Sequence, residues 1–432
     1  MKKFLKGALA SAMALSLAAC GNNAGQNEGG ENEGIALPEE GTTVTIWHTF
    51  TNDQLTTLEA IANEFNATNE YGITVKVESQ AYDGFLDTVK SNVYNGTGPD
   101  MILNYASAAA DYIEDEKVLD FAPLINDPVI GIEGYAESKP AGIYAEETGF
   151  EDGGHHVIVT QTTGPIVFYN KTFYDQLGLK PAKTWAELEV NSQKVHDEMG
   201  IAGFAFDSLT DSIQALIMQN EAGYIDVENR EVLWNNDKTV ELVDYIARNT
   251  QNGNFLVDAT NGYFSSDINS GLVAAYVGSV AGLPYVDLTP NGWELACAPM
   301  PMDGNGWNPA WDRGLMVFDY EDDNRTVASY LFIKYFIETE NSKKWNMAMN
   351  SLSPFFAVQE DAEYQEYVNS NIALAALAEQ IPTSGVLTTI SGSATVRTEL
   401  ESAVRTAAAG TATAKDALAE AAANSNAALK GE

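Results

Sequence analysis

The chain has 432 residues, with 61 acidic against 23 basic side chains and a formal net charge of −38. So negative a surface makes nucleic acid and anionic lipid poor partners, and reads as solvation of an exported protein rather than as a cation store. The length beyond the first 19 residues exceeds one ordinary core and suits two domains or a two-lobed body, with no later run of some twenty apolar residues to span a membrane.

Lys2, Lys3 and Lys6 precede a small, apolar run from Ala8 to Ala19. It is too short to cross hydrocarbon at 1.5 Å per residue and has the build of a secretory signal peptide, residues 1–19. Its end, Leu17-Ala18-Ala19-Cys20, resembles a bacterial lipobox. That resemblance implies cleavage before Cys20, acylation of its sulfur, and lipid attachment on the outer side of the cell membrane. The following stretch, "GNNAGQNEGGENEGIALPEE", is nearly empty of large apolar residues and cannot offset its chain entropy, so residues 20–41 are expected to be the acylated cysteine and a flexible tether. Twenty such residues reach roughly 25 Å. With Cys20 acylated, Cys297 is the one remaining cysteine and no internal disulfide forms; in "WELACAPMP" it alternates with apolar neighbours as a packed strand residue does.

Beyond the tether, strand-like and helix-like segments alternate. "TVTIW" reads as a buried strand, and Leu55, Leu58, Ile61, Ala62 and Phe65 recur at helical spacing after it. "ITVKVES" alternates strictly, a helix carrying Phe85, Leu86, Val89 and Val93 follows, and "NGTGPDMILNY" turns on glycine and proline into a third strand. The rhythm resumes with "HHVIVT", "PIVFYN", a helix over 184–199, "GFAF", a helix from Ser208, and a long one across 239–250. "LVAAYVG", "ELACAPM" and "GLMVF" are further strands, and 393–430 is alanine-rich and helical. Such alternation without hairpin signals predicts α/β lobes, each a mainly parallel sheet covered by helices, with ligand at the carboxyl ends of the strands.

Residues 167–189, "VFYNKTFYDQLGLKPAKTWAELE", carry a Tyr-Asn-Lys strand end, a short helix ending in Leu-Gly, and Lys-Thr-Trp opening the next helix. Thr184 is a good N-cap with Glu187 three positions on, and Trp185 can pack beneath the helix. In this order the three features resemble the extracellular solute-binding proteins of ABC importers that capture sugars and glycerol phosphates. "TIWHTF", "NGTGPDMI" and "TAKDALAEAAANSNAAL" resemble the first strand, the Gly-x-x-Pro-Asp turn and the last helix of that group. The resemblance implies a two-lobed periplasmic-binding-protein-like fold with the ligand between the lobes. The lobes are expected at 42–158 plus 314–350 and at 159–313 plus 351–432.

The glycerol phosphate binders of the group share the "WH" after the first strand, a ligand-binding tyrosine in the position of Tyr82 and an anion-gripping arginine in that of Arg397. This chain departs from them at Ala106 and Leu352, where they place glutamate and tyrosine, and at Trp311-Asp312-Arg313-Gly314, where they have Gly-Gly-Ala-Ser. A sugar site needs flat apolar faces and planar polar groups, and "GNGWNPAWDRG" supplies Trp307, Trp311, Asp312 and Arg313 together. Trp311 could equally start a core strand, and Arg397 could be a surface partner of Glu401. The strand ends add His48, Tyr82, Asp83, Asn104, Tyr105, Ser107, Thr162, Thr163 and Ser279.

Enzyme signatures are absent from the sequence: no HExxH, CxxC, phosphate loop or nucleophile elbow occurs. His155 and His156, adjacent on an expected strand, point to opposite faces and read as surface or turn residues rather than metal ligands. The expectation is a lipid-anchored, monomeric substrate-binding protein, not an enzyme and without cofactor or metal, that captures a mono- or oligosaccharide and delivers it to ABC permease subunits. The alternatives are a glycerol-3-phosphate or glycerophosphodiester ligand, and an anchored glycoside hydrolase.

Overall fold

The computed structural model describes residues 34–258, 263–388 and 390–431, so the expected signal, lipobox and Cys20 anchor lie outside the described residues. In chain order the strands are β1 (Thr43–His48), β2 (Thr74–Ser79), β3 (Met101–Tyr105), β4 (Ile158–Thr163), β5 (Pro165–Asn170), β6 (Phe204–Phe206) and β7 (Ile225–Asp226). There follow β8 (Glu231–Val232), β9 (Phe255–Leu256), β10 (Ala275–Ser279), β11 (Leu295–Ala298), β12 (Asn308–Pro309), β13 (Trp311–Val317) and β14 (Ser384–Gly385).

They build two five-stranded sheets, ordered β2-β1-β3-β13-β4 and β11-β5-β10-β6-β9. Each defines a lobe of an α/β fold. The expectation of mainly parallel sheets needs correction: β1 pairs parallel with β2 and β3, but β13 runs antiparallel to both β3 and β4. In the second sheet β5 is likewise antiparallel to β10 and β11, while β6 is parallel to β10 and β9. The cause is the connection between lobes. β4 leaves the first lobe and β13 re-enters it from the second, so the two must run in opposite senses.

The first sheet's boundaries also fall later in β4 and earlier in β13 than expected. β4 belongs to the first lobe through Thr163 rather than stopping at 158, and β13 belongs to it from Trp311 rather than from 314, since Trp311 pairs with Thr163 and Asp312 with Thr162. The chain thus crosses at Gly164 and again at Ala310. A third connection runs at Leu352, which exchanges two backbone hydrogen bonds of 2.8 Å with Thr162. The tether also ends earlier than expected. Ile35 N donates to Asp127 Oδ2 at 2.6 Å and Glu39 N to Asn324 Oδ1 at 2.9 Å, which ties residues 35–39 to the first lobe.

Period-two alternation lays out the layers of the second lobe. Val167, Phe204, Phe206 and Val277 face one core, with Trp185 and Val396, Leu400 and Val404 of helix Ser393–Ala408. Phe168, Ala205 and Tyr276 face the other, against Ala373, Leu374 and Leu377 of helix Ile372–Gln380. Cys297 is half-buried on edge strand β11, and burial pushes its thiol up to about 12, as packing rather than chemistry requires. His155 and His156 are both buried, not on the surface. They precede β4, where His156 bonds Leu119 O and Asp152.

The recurring motifs are scaffold. In "NGTGPDMI", Asp100 Oδ2 accepts Thr45 N at 2.6 Å while Oδ1 accepts Arg325 Nε at 2.6 Å, binding β1, the start of β3 and helix Asp323–Phe336 into one unit. Gly98 admits no side chain there, because a Cβ would lie 2.6 Å from Tyr320 Oη and 2.9 Å from Val93 N. Asn170 and Thr184 cap the helices Lys171–Leu177 and Trp185–Met199 through Phe173 N and Glu187 N. Asp100→Ala should lower unfolding free energy by about 3 kcal/mol, since Arg325 and Thr45 N lose a buried charged acceptor. Urea unfolding of the pure protein measures it, and an unchanged midpoint would refute the linchpin role.

Candidate functional site

Between the lobes lies a cavity of about 490 Å³. The first lobe lines it with Tyr105, Ala106, Ser107 and Glu146, the second with Asp211, Gln214, Tyr224, Ser393 and Arg397. The crossing segments contribute Trp307, Trp311, Asp312 and 385–388. A larger neighbouring cavity of about 770 Å³ shares Ala310, Asp312, Gly385 and Val386 with it, but its remaining walls, such as Leu352, Phe356, Val368 and Pro382, are mainly apolar. The smaller cavity is the candidate site because aromatic faces and polar groups of both lobes converge there.

One chain of polar contacts joins the lobes. Trp311, on β13 of the first sheet, donates through Nε1 to Asp211 Oδ1 at 3.2 Å, on helix Leu209–Gln219 of the second lobe. The same oxygen accepts Arg397 Nη1 and Nη2 at 3.2 and 3.3 Å. Arg397 also donates to Gln214 Oε1 at 2.9 Å, and Gln214 Nε2 donates to Tyr224 Oη at 2.7 Å. Arg397 is therefore not the partner of Glu401, which instead takes Arg405 and the Thr210 hydroxyl. Its charge is balanced by Asp211 before any ligand arrives.

The loop before β13 is held by Gln219. Its Oε1 accepts Trp185 Nε1 at 2.8 Å and Asp303 N at 3.0 Å, and its Nε2 donates to Trp307 O at 2.7 Å. The Trp of the Lys-Thr-Trp motif thus acts at one remove, fixing the segment that carries Trp307. Trp307 lies against Gly385, where a Cβ would stand 2.6 Å from its Nε1.

Asp211, Gln214, Tyr224, Ser393 and Glu146 line the cavity although the sequence did not point to them, and of these Glu146 is the most unusual. It sits on helix Ala141–Glu147, whose next residue, Glu147, is wholly buried. Glu147 Oε1 accepts Lys139 Nζ at 2.7 Å, Tyr135 Oη at 2.9 Å and Val159 N at 2.6 Å, and His155 Nε2 lies 3.4 Å from Oε2. Burial alone would raise Glu147, but Lys139 and His155 outweigh it and hold the carboxyl below its ordinary value. Burial lowers Lys139 in turn. So anchored, the helix end turns the Glu146 carboxyl onto Asp312. Burial first, and Asp312 second, push Glu146 well above the carboxylate range; burial also raises Asp312. The signal available in the sequence was "AEE" before a strand, which in so acidic a chain distinguishes nothing.

The other expected residues are placed apart from the cavity or beside it. Thr162 lines the neighbouring cavity, and Thr163 Oγ1 donates to Trp311 O at 3.1 Å. Arg313 stacks on Tyr105, 4.4 Å from the ring centroid, and donates to its hydroxyl at 2.8 Å. Ser279 caps the short helix Val280–Tyr285 through Ala281 N. His48 is buried, lowered by that burial, and bonded to Phe50 N and Ser79. Tyr82 is 77 % exposed, Asp83 beside it is exposed too, and Asn104 bonds Tyr105 N. No group of three or more metal-binding side chains occurs among the described residues, and no helix among them is long and apolar enough to cross a membrane.

A family model described as bacterial extracellular solute-binding protein matches residues 60–372. No curated protein sequence matches. Among solved structures, the cyclic α-maltosyl-1,6-maltose binding protein of Arthrobacter globiformis is similar with a TM-score of 0.77 at 20% identity, over 90% of this chain and 100% of that one. The sugar-binding protein MalE of Xanthomonas citri gives 0.76 at 14% identity, over 90% and 98%. UgpB of Mycobacterium tuberculosis, solved with glycerophosphocholine, gives 0.74 at 14% identity, also over 90% and 98%. At such identities these likenesses show the fold.

Asp211→Asn keeps an acceptor for the Trp311 indole while removing the charge that balances Arg397. Inorganic phosphate should then raise the melting temperature of the variant and not of the parent at equal ionic strength, as read by thermal shift. Equal responses would mean that Asp211 does not neutralise the cleft's arginine.

Proposed function

The chain belongs to the bacterial extracellular solute-binding proteins, and from that membership we propose that it captures a mono- or oligosaccharide outside the membrane for an ABC importer. The observation that carries the choice of carbohydrate is the convergence of Trp311, Trp307, Tyr105 and Tyr224 with the carboxyls of Asp312 and Glu146 in one interlobe cavity. Aromatic faces suit the C–H surface of a sugar ring, and carboxyl and amide groups suit its hydroxyls. A solute touching both lobes stabilises their closed arrangement, and that arrangement docks on permease subunits whose partner ATPases drive transport. Cys20, acylated, would hold the protein at the cell membrane.

A glycerol phosphate or its diester is the second reading, favoured by the likeness to the glycerophosphocholine complex and by Arg397 in the cavity. Against it, Arg397 is already paired with Asp211, and Arg313 is engaged by Tyr105. Hydrolysis is disfavoured by geometry. Glycosidase carboxyls stand about 5–9.5 Å apart across a scissile bond, whereas Glu146 and Asp312 touch each other.

A thermal-shift screen against neutral sugars, oligosaccharides and glycerol phosphates tests the reading. Ligand at a hundred times its dissociation constant adds about 2.7 kcal/mol, which the screen resolves. A neutral sugar should respond, and Arg397→Ala should weaken it little; a response confined to phosphates, abolished by Arg397→Ala, would reverse the assignment. Intact mass of protein from its native membrane should show acylated Cys20 as the first residue; an unlipidated chain would remove the anchor.

A further inference from the structure

The polar floor of the cleft contains an arrangement that neither carbohydrate nor phosphate binding as such requires. Glu146 and Asp312 come from different segments, helix Ala141–Glu147 and β13, and their carboxyls meet. Glu146 Oε2 and Asp312 Oδ1 are both buried without a partner in hydrogen-bonding geometry; the Thr162 hydroxyl, outside that geometry, stands near enough to Asp312 to favour its charged form. Two buried carboxylates in contact repel, and no cation forms an ion pair with either, although Lys139 acts on Asp312 from a distance. Lys139 is spent on Glu147, and Arg397 and Arg313 are spent on Asp211 and Tyr105. One proton held between them turns the repulsion into a hydrogen bond.

We propose that Glu146 and Asp312 act as a one-proton acid–carboxylate pair at the cleft floor, and that this pair is the docking point for an uncharged, hydroxyl-bearing group of the solute. The pair offers one O–H donor and several acceptor lone pairs, which matches a polyol and repels a phosphate. The groups facing it are consistent with retention of that proton. Behind it stand Glu147, whose charge Lys139 balances, and His155; across the cavity stand Asp211 and Arg397, which balance each other. The second half of this proposal rests on the carbohydrate reading, and the first half does not.

Melting of the ligand-free protein decides the first half. A carboxyl whose folded pKa is raised contributes stability that is full below its unfolded value, near 4.3, and lost as pH rises through the folded one. Glu146→Gln supplies a permanent N–H donor to Asp312 and should escape that loss. From pH 5 to pH 8 the variant should therefore gain on the parent by roughly 2 °C in melting temperature, and Asp312→Asn should do the same. A difference that stays flat with pH, in both variants, overturns the shared proton. For the second half, maltotriose titrated calorimetrically against the full protein from pH 5 to pH 9 should bind the parent more weakly as pH rises and the pair loses its proton, and Glu146→Gln with equal strength throughout. Binding that is equally pH-dependent in the variant overturns the docking role. Absence of maltotriose binding at any pH overturns it for this sugar and counts against the carbohydrate reading, while the melting result on the pair stands.

Discussion

The structure hangs on the antiparallel strand Trp311–Val317. It is the return of the chain from the second lobe, and it inserts between β3 and β4 of the first. By doing so it completes the first sheet, places Trp311 and Asp312 where the lobes meet, and gives the first sheet its mixed strand directions. Thr162, paired with Asp312 on one side and with Leu352 on the other, locks two of the three connections together. A relative motion of the lobes is thus confined to a few residues around Gly164, Ala310 and Leu352. Those same residues border the ligand cavity or its neighbour. Hinge and site are one region, so a solute contact at Trp311 or Asp312 is felt directly where the lobes turn.

Much of the fold was legible because its signals are local. The buried strand β1, the alternation of β2, the Thr184 cap, the helix expected over 184–199 and the long C-terminal helices are each read from a few neighbouring residues. The sense of β13 was not legible. "GLMVF" announces a buried strand, but parallel and antiparallel partners bury the same apolar residues, and only the path of the chain between lobes decides the direction. Residues 35–39 escaped for a related reason: they are held by backbone donation to Asp127 and Asn324, far away in sequence, and composition cannot report such a contact.

The site divides along the same line. Trp311, Asp312, Tyr105, Ser107 and Arg397 were legible, the first two as aromatic and acidic residues in a glycine- and proline-rich loop, Arg397 through family likeness. Glu146 was invisible, and its role depends on the buried Glu147 next to it. An acidic chain hides its functional carboxyls among solvated ones; only burial and the want of a donor separate them. His155 misled for the opposite reason. Adjacent histidines looked like solvent-facing residues, yet His155 is packed against the Lys139–Glu147 pair that sets the helix end.

That buried ion pair gives the cleft its character. An isolated ion pair in a core is a weak source of stability, since desolvation of both charges offsets their attraction. Its effect here is positional. Glu147 takes donors from Lys139, Tyr135 and Val159, which fixes the helix end that carries Glu146. Without that restraint Glu146 would join the other exposed acids, where hydration relieves its repulsion from Asp312. Held in place, it can relieve that repulsion only by keeping a proton or by meeting a donor brought by the solute.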